Sequence, residues 1–162
     1  MTVAHVSTVL WSERELLELL LFKLEEQQLV LASGKARWLS HCGREVEMVV
    51  EQIRAAELSR AVAVDELAHE LGLPPAPSLA ALARLVPPPH DELLMAHRDA
   101  FLLLTDEISA LSKANRELLG TAQRAQREAM LALDDAVGAT TYSSHGDARS
   151  EPARARVVDR AL

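Results

Sequence analysis

Residues that could do chemistry are few in this chain, and their spacing argues against most chemistries. The six histidines are His5, His41, His69, His90, His97 and His145. His41 and Cys42 are adjacent, so on a helix they point about 100° apart and cannot share one metal ion. Glu66-x-x-His69 has the spacing that di-iron bundles use twice, but no second copy occurs. His90 and His97 lie two helical turns apart, too far to chelate one ion. There is no G-x-S-x-G elbow and no glycine-rich phosphate loop. The expectation is a protein that is not an enzyme, with no metal, no cofactor and no nucleotide requirement.

The elements that would carry those residues are helical. Apolar residues make up 49% of the 162 residues and aromatics only 3%, so the apolar set is mostly Leu, Ala and Val. Leu and Ala are strong helix formers, and six glycines offer few breaks. The formal charge of −7 gives an acidic surface that repels phosphate backbones, which excludes nucleic acid as a natural partner. A lone cysteine, Cys42, allows no internal disulfide and suits a reducing cytosol. Apolar runs such as Leu19 to Phe22 and Ala100 to Leu104 do not exceed five residues, far short of the roughly 20 a span needs, and no signal peptide is visible. Membrane insertion is therefore not expected, and the expected location is cytoplasmic.

Periodicity predicts the elements. Val3, Leu10, Leu17, Leu24 and Leu31 recur every seven residues, with Val6 and Leu20 between them. Glu13 and Gln27 interrupt that intermediate series. This stripe predicts a helix from Val3 to Ala32. Ser33-Gly34 breaks it, and the stripe restarts in a new phase at Leu39, Cys42, Val46, Val49, Ile53 and Ala56. The phase change favours a hairpin to a second helix, Lys35 to Ala56, over one long bent helix. Short helices are expected at Val64–Leu71 and, with Ser78 as N-cap, at Leu79–Leu85. Pro87-Pro88-Pro89 is expected to run extended as a connector.

The last helix is predicted from His90 to Val137. Leu94, Phe101, Ile108, Asn115, Ala122 and Ala129 form one heptad series, and His97, Leu104, Leu111, Leu118 and Ala125 the other. It would extend about 70 Å against about 45 Å for the first helix, so part of it must project or pack on something else. The fold class is thus all-α. The expected arrangement is an antiparallel bundle over 1–137, with long first, second and last helices and two short middle ones. The pattern ends after Gly138, and 138–162 read as a disordered C-terminal tail.

Within the last helix the seam changes character. Large residues up to Leu118 give way to Ala122, Ala125, Ala129 and Ala132, which bury little area. Leu119, Met130, Leu133 and Val137 place larger apolar groups near that face, with Leu131 beside them. A surface of this kind admits another helix closely, and Met130 adds an adaptable contact. The same half could instead pack on its own bundle or on a second copy, giving a homodimer. Asn115 at a heptad core position either sets register or simply bonds a nearby backbone group.

An ordered set of segments resembles the FlgN-like family in its actinobacterial form. These are Leu10-Trp11-Ser12-Glu13-Arg14-Glu15, Leu17-Glu18 and Leu20-Leu21-Phe22-Lys23-Leu24-Glu25-Glu26. Gly34, Trp38-Leu39, Arg44-Glu45-Val46-Glu47, His97-Arg98-Asp99-Ala100-Phe101 and Ala114-Asn115-Arg116-Glu117-Leu118-Leu119 follow. The resemblance covers about Ser7 to Leu133. It implies a cytosolic chaperone of flagellar type III export. Such a protein would bind C-terminal helices of the hook-associated junction proteins, keep them unpolymerised and deliver them to the export gate and its ATPase complex. The resemblance places substrate binding on the late helix, here Asn115, Leu118, Leu119, Ala122, Gln126, Met130, Leu133 and Val137. It also implies an export-gate tyrosine, for which Tyr142 is the residue present. The competing reading is a self-associating structural bundle with no export role.

Overall fold

In the computed structural model the backbone is described over residues 3–141 and the side chains over 3–136. The chain divides into a first compact unit that runs to Thr121 and a second that begins at Ala122. Among the described residues all regular structure is helical. The helices are α1 (Val3–Ala32), α2 (Leu39–Glu70), α3 (Leu79–Ala83) and α4 (His90–Thr141), with a 3-10 turn at Ala36–Trp38.

The hairpin forms where the sequence places it. Gly34 adopts φ 69°, and its N–H donates to the Leu31 carbonyl at 3.2 Å. A left-handed residue there satisfies an otherwise orphaned carbonyl and reverses the chain. The two helices run antiparallel. Lys23 bridges Glu26 on its own helix at 2.7 Å and Glu45 on α2 at 2.9 Å, while Glu13 meets Arg60 at 3.3 Å.

Two of the predicted helices prove to be one. The expected elements Lys35–Ala56 and Val64–Leu71 merge into α2, with no break between them. The stripe continues through Arg60 in three-four spacing: Ile53, Ala56, Arg60, Ala63 and Leu67. A charged residue at a seam position hides that continuity. One short middle helix therefore remains, not two. α2 stops at Gly72 (φ 70°), whose N–H reaches the His69 carbonyl while Leu73 N–H reaches Ala68 O at 2.9 Å. This is a Schellman cap.

Ser78 caps α3, its hydroxyl accepting from Ala81 N at 3.2 Å, and α3 ends at Ala83 rather than Leu85. The prolines do not run extended. The Pro88–Pro89 bond is cis, and His90 N donates to the Pro87 carbonyl at 3.0 Å, so the segment turns. Asp91 and Glu92 in the first turn of α4 complement its positive end. α4 continues through Gly138 to Thr141, because one glycine costs a helix only about 1 kcal/mol.

Inside the first unit α4 runs parallel to α1. Ser7 faces His97 and Leu24 faces Asn115, so residue numbers rise together along the pair. Two apolar clusters hold the unit. The first joins Val6 and Leu10 to Val64, Leu67, Leu82, Val86 and Leu94. The second joins Leu20 and Leu24 to Val49 and Ile53, with Ile108 and Leu111 packed against it. Glu13 lies between them on α1, buried beneath its half-exposed Arg60 partner.

His97 is buried at 1% exposure, its ring edge-on to Trp11 at 4.9 Å and its Nε2 3.4 Å from the Ser7 hydroxyl. Burial, then the nearby Arg14 charge, pushes its pKa below the ordinary imidazole value. Burial likewise raises the Glu13 carboxyl, against the opposing pull of Arg60, and Glu57 adds to the rise.

Three outcomes follow. Leu10→Ala, at a fully buried site, is expected to cost about 2–5 kcal/mol in denaturant unfolding. The native state favours neutral His97. Its contribution is therefore complete above about pH 6.5 and is lost as pH falls below that value, and His97→Phe should flatten this limb of the stability–pH curve. Glu13 works in the opposite sense. Its raised value favours the native state at acid pH, and that gain is lost as pH rises through it. Glu13→Gln should therefore unfold at higher denaturant than the parent at pH 7, the gap closing toward pH 4.

Candidate partner-binding site on the last helix

The seam of α4 is occupied from Leu94 to Asn115 and open beyond. Leu94, His97, Leu104 and Asn115 are buried, with Phe101, Ile108 and Leu111 partly so. Every side chain from Thr121 to Ala136 is exposed. Met130, Leu131 and Leu133 stand 59%, 65% and 60% exposed, values far above those of seam residues such as Leu94 at 0%.

The sequence-predicted residues fall into three groups. Asn115 is not on an accessible face. It is buried inside the first unit, and its Nδ2 donates to the Leu24 carbonyl at 2.8 Å and to Gln27 Oε1 at 3.1 Å. A polar side chain at a core position must find partners within the fold, and here α1 supplies them. Gln27, which interrupts the α1 stripe, is thereby explained. Leu118 and Leu119 are exposed at 41% and 38%, at the far end of the same unit. Leu119 lines a groove of about 600 Å³ there, with Leu24, Leu31 and Leu39 contributing apolar walls and Arg116 a charge.

Ala122, Gln126, Met130 and Leu133 form the second group, all exposed on α4. Their spacing of four, four and three residues keeps them within about 80° of one another on an ideal helix. Leu131, one residue on from Met130, points about 100° away and is not part of this stripe. Val137 belongs to the third group: its backbone is helical, but its side chain lies outside the described residues. Tyr142, the export-gate residue implied by the resemblance, lies wholly outside them.

The residues considered for metal chemistry do not assemble. Glu66 and His69 are exposed on the last turns of α2, beside Asp65 and Glu70. His41 pairs with Glu45 at 3.2 Å. Among the described residues, no group of three or more His, Cys, Asp or Glu side chains is placed to hold an ion. None of the described helices is long and apolar enough to cross a membrane.

What the geometry offers is an exposed helical stripe of large and small apolar groups; among the described residues no cleft gathers reactive side chains around it. The described residues thus make a helical protein with an exposed apolar stripe on its last helix. It belongs to the FlgN protein family, whose model matches residues 1–150. Membership implies a role as a flagellar export chaperone. No curated protein and no solved structure matches the chain.

The buried amide yields a test of its own. Asn115→Ala removes the Nδ2 bonds that tie α4 to α1. It should lower stability by about 1–3 kcal/mol in chemical unfolding, while Gln126→Ala, on the exposed stripe, should stay within about 0.5 kcal/mol of the parent.

Proposed function

We propose that this chain binds the C-terminal helices of hook-associated junction proteins along the exposed stripe of α4. It thereby prevents their premature polymerisation and assists their delivery to the type III export gate and its ATPase complex. Leu118, Leu119, Ala122, Gln126, Met130, Leu133 and Val137 are the contact residues, and Tyr142 the gate contact. Asn115 serves this face indirectly, by seating α4 on α1.

The observation that carries the reading is the uninterrupted exposure of Thr121 to Ala136, with Met130 and Leu133 held out to solvent. Exposed apolar groups of that size on one helix face mark interaction sites rather than ordinary surface. The physical mechanism is a cover. A polymerisation segment that is an amphipathic helix presents an apolar stripe, and burying that stripe on α4 removes the edge on which a second copy would add. About 800 Å² per partner gives a specific and reversible complex. The alanines let the two helix axes approach, while Met130 and Leu133 act as anchors. Release needs no nucleotide chemistry, only competition for the same stripe. The setting of such a chaperone is the cytoplasm.

Self-association through the same stripe is the competing reading, and one pair of substitutions separates them. Met130→Asp and Leu133→Asp should each weaken binding of a junction-protein C-terminal peptide by about tenfold or more in calorimetry. Helix content and melting should be unchanged, because both sites are exposed. Intact peptide binding together with loss of a homodimer in sedimentation would instead identify the stripe as a dimer contact.

A further inference from the structure

Aromatic residues are scarce here, and their placement is unusual. Of the four whose side chains are described, Trp11, Phe22 and Trp38 are exposed at 45%, 52% and 48%, and only Phe101 is half-buried. Two of the three belong to one stripe on α1: Trp11 at its start packs edge-on against the buried His97 of α4 and keeps its outer part in water, while Phe22 faces solvent. Trp11, Phe22 and Leu29 are eleven and seven residues apart, which brings them within about 20° of one another over about 27 Å of helix. Leu29 is 72% exposed.

Carboxylates flank this stripe on both sides. Glu15 and Glu26 lie about 20–60° to one side of it, and Glu18 and Glu25 about 20–60° to the other. Glu18 is paired with Arg14 and Glu26 with Lys23, but Glu15 and Glu25 make no ion pair among the described residues. The neighbouring cations do not neutralise the face. Arg14 stacks on Trp11 at 4.9 Å and Lys23 lies 5.5 Å from the Phe22 ring, each also committed to a glutamate.

We propose that the outer face of α1, from Trp11 to Leu29, is a docking surface for a basic amphipathic helix of a partner protein. Phe22 and Leu29, two helical turns apart, offer two anchor positions to a helix laid alongside, and the exposed part of Trp11 offers a third about three turns further on. Tryptophan and phenylalanine are the side chains most able to anchor such a contact. The unpaired carboxylates select lysine and arginine at the partner's flanks and steer its approach. The same charges disfavour a second copy of this chain, since two such faces would oppose glutamate with glutamate, and they repel phosphate-bearing surfaces. This surface lies on α1 and is independent of the α4 stripe.

The test titrates the isotope-labelled full chain with an 18-residue helical peptide of leucine and lysine in amphipathic register, and with its leucine–glutamate counterpart. The lysine peptide is expected to shift amide resonances at the exposed positions between Trp11 and Leu29, with affinity that falls as salt rises. Phe22→Ser with Leu29→Ser should weaken it by about tenfold, and Glu15→Lys with Glu25→Lys by a similar factor that disappears at high salt. Met130→Ser with Leu133→Ser, on the other stripe, should leave it within about twofold. The proposal is overturned by shifts confined to α4, by equal binding of the glutamate peptide, or by affinity indifferent to both α1 pairs. Self-association abolished by Leu29→Ser would also overturn it, by making this face a contact between copies.

Discussion

Helix α1 is the surface on which the rest of the first unit is built, and its polar interruptions decide how. A helix stripe of leucine and valine can slide by a heptad with little loss, because each step replaces one apolar contact with another. Buried polar groups remove that freedom, since a displaced one is left without a partner at a cost of about 1–3 kcal/mol. α1 carries such groups at Ser7 and Glu13, with the half-buried Gln27 beyond them, and each meets a residue of another helix: His97, Arg60 and Asn115. Spread along α1 within, between and beyond the two apolar clusters, they specify register for α2 and α4 at once. Such pairs specify more than they stabilise, which fits a Glu13 whose burial outweighs the attraction of Arg60.

The same constraint decides where α4 is left uncovered. α1 and α2 are 30 and 32 residues long and meet in one turn at Gly34, so the cover they offer to α4 is finite. Asn115, anchored to Leu24 near the end of α1, is the last buried side chain of α4 among the described residues. Alanines follow, and apolar groups that could have continued a core remain in water. Of the 52 residues of α4, those from Thr121 to Ala136 expose all their side chains and so leave apolar length for something else. Chaperoning by a helix needs that surplus: an apolar strip stable enough to stay helical, yet not enclosed by its own fold.

Two apolar strips on one chain, with different chemistry, would allow two classes of partner to be held without competition. The α4 stripe combines alanine with methionine and leucine, suited to close packing of another apolar stripe. The α1 face combines aromatic anchors with free carboxylates, suited to a basic helix. A protein that must receive a cargo and then present it elsewhere benefits from separating those contacts.

Much of this was legible in the sequence, for reasons that are local. The three-four spacing of Val3, Val6 and Leu10 and of Leu17, Leu20 and Leu24, with the left-handed preference of Gly34, acts over a few residues and determines α1, its end and the hairpin. The alanine seam after Leu118 announced an uncovered stretch, because area buried scales with side-chain size. The continuity of α2 was not legible, since Arg60 at a seam position reads as a break until Glu13 is seen across from it. Nor was the fate of Asn115. Its heptad position predicted a core site and the family resemblance a contact with a partner, and only the approach of the Leu24 carbonyl and Gln27 decided between them. The sequence by itself thus determined where helices form and which face of each is apolar. Which polar side chains meet across helices, and so which faces are left to solvent, was decided by the tertiary structure, because those meetings join residues about 90 positions apart through geometry that no local pattern encodes.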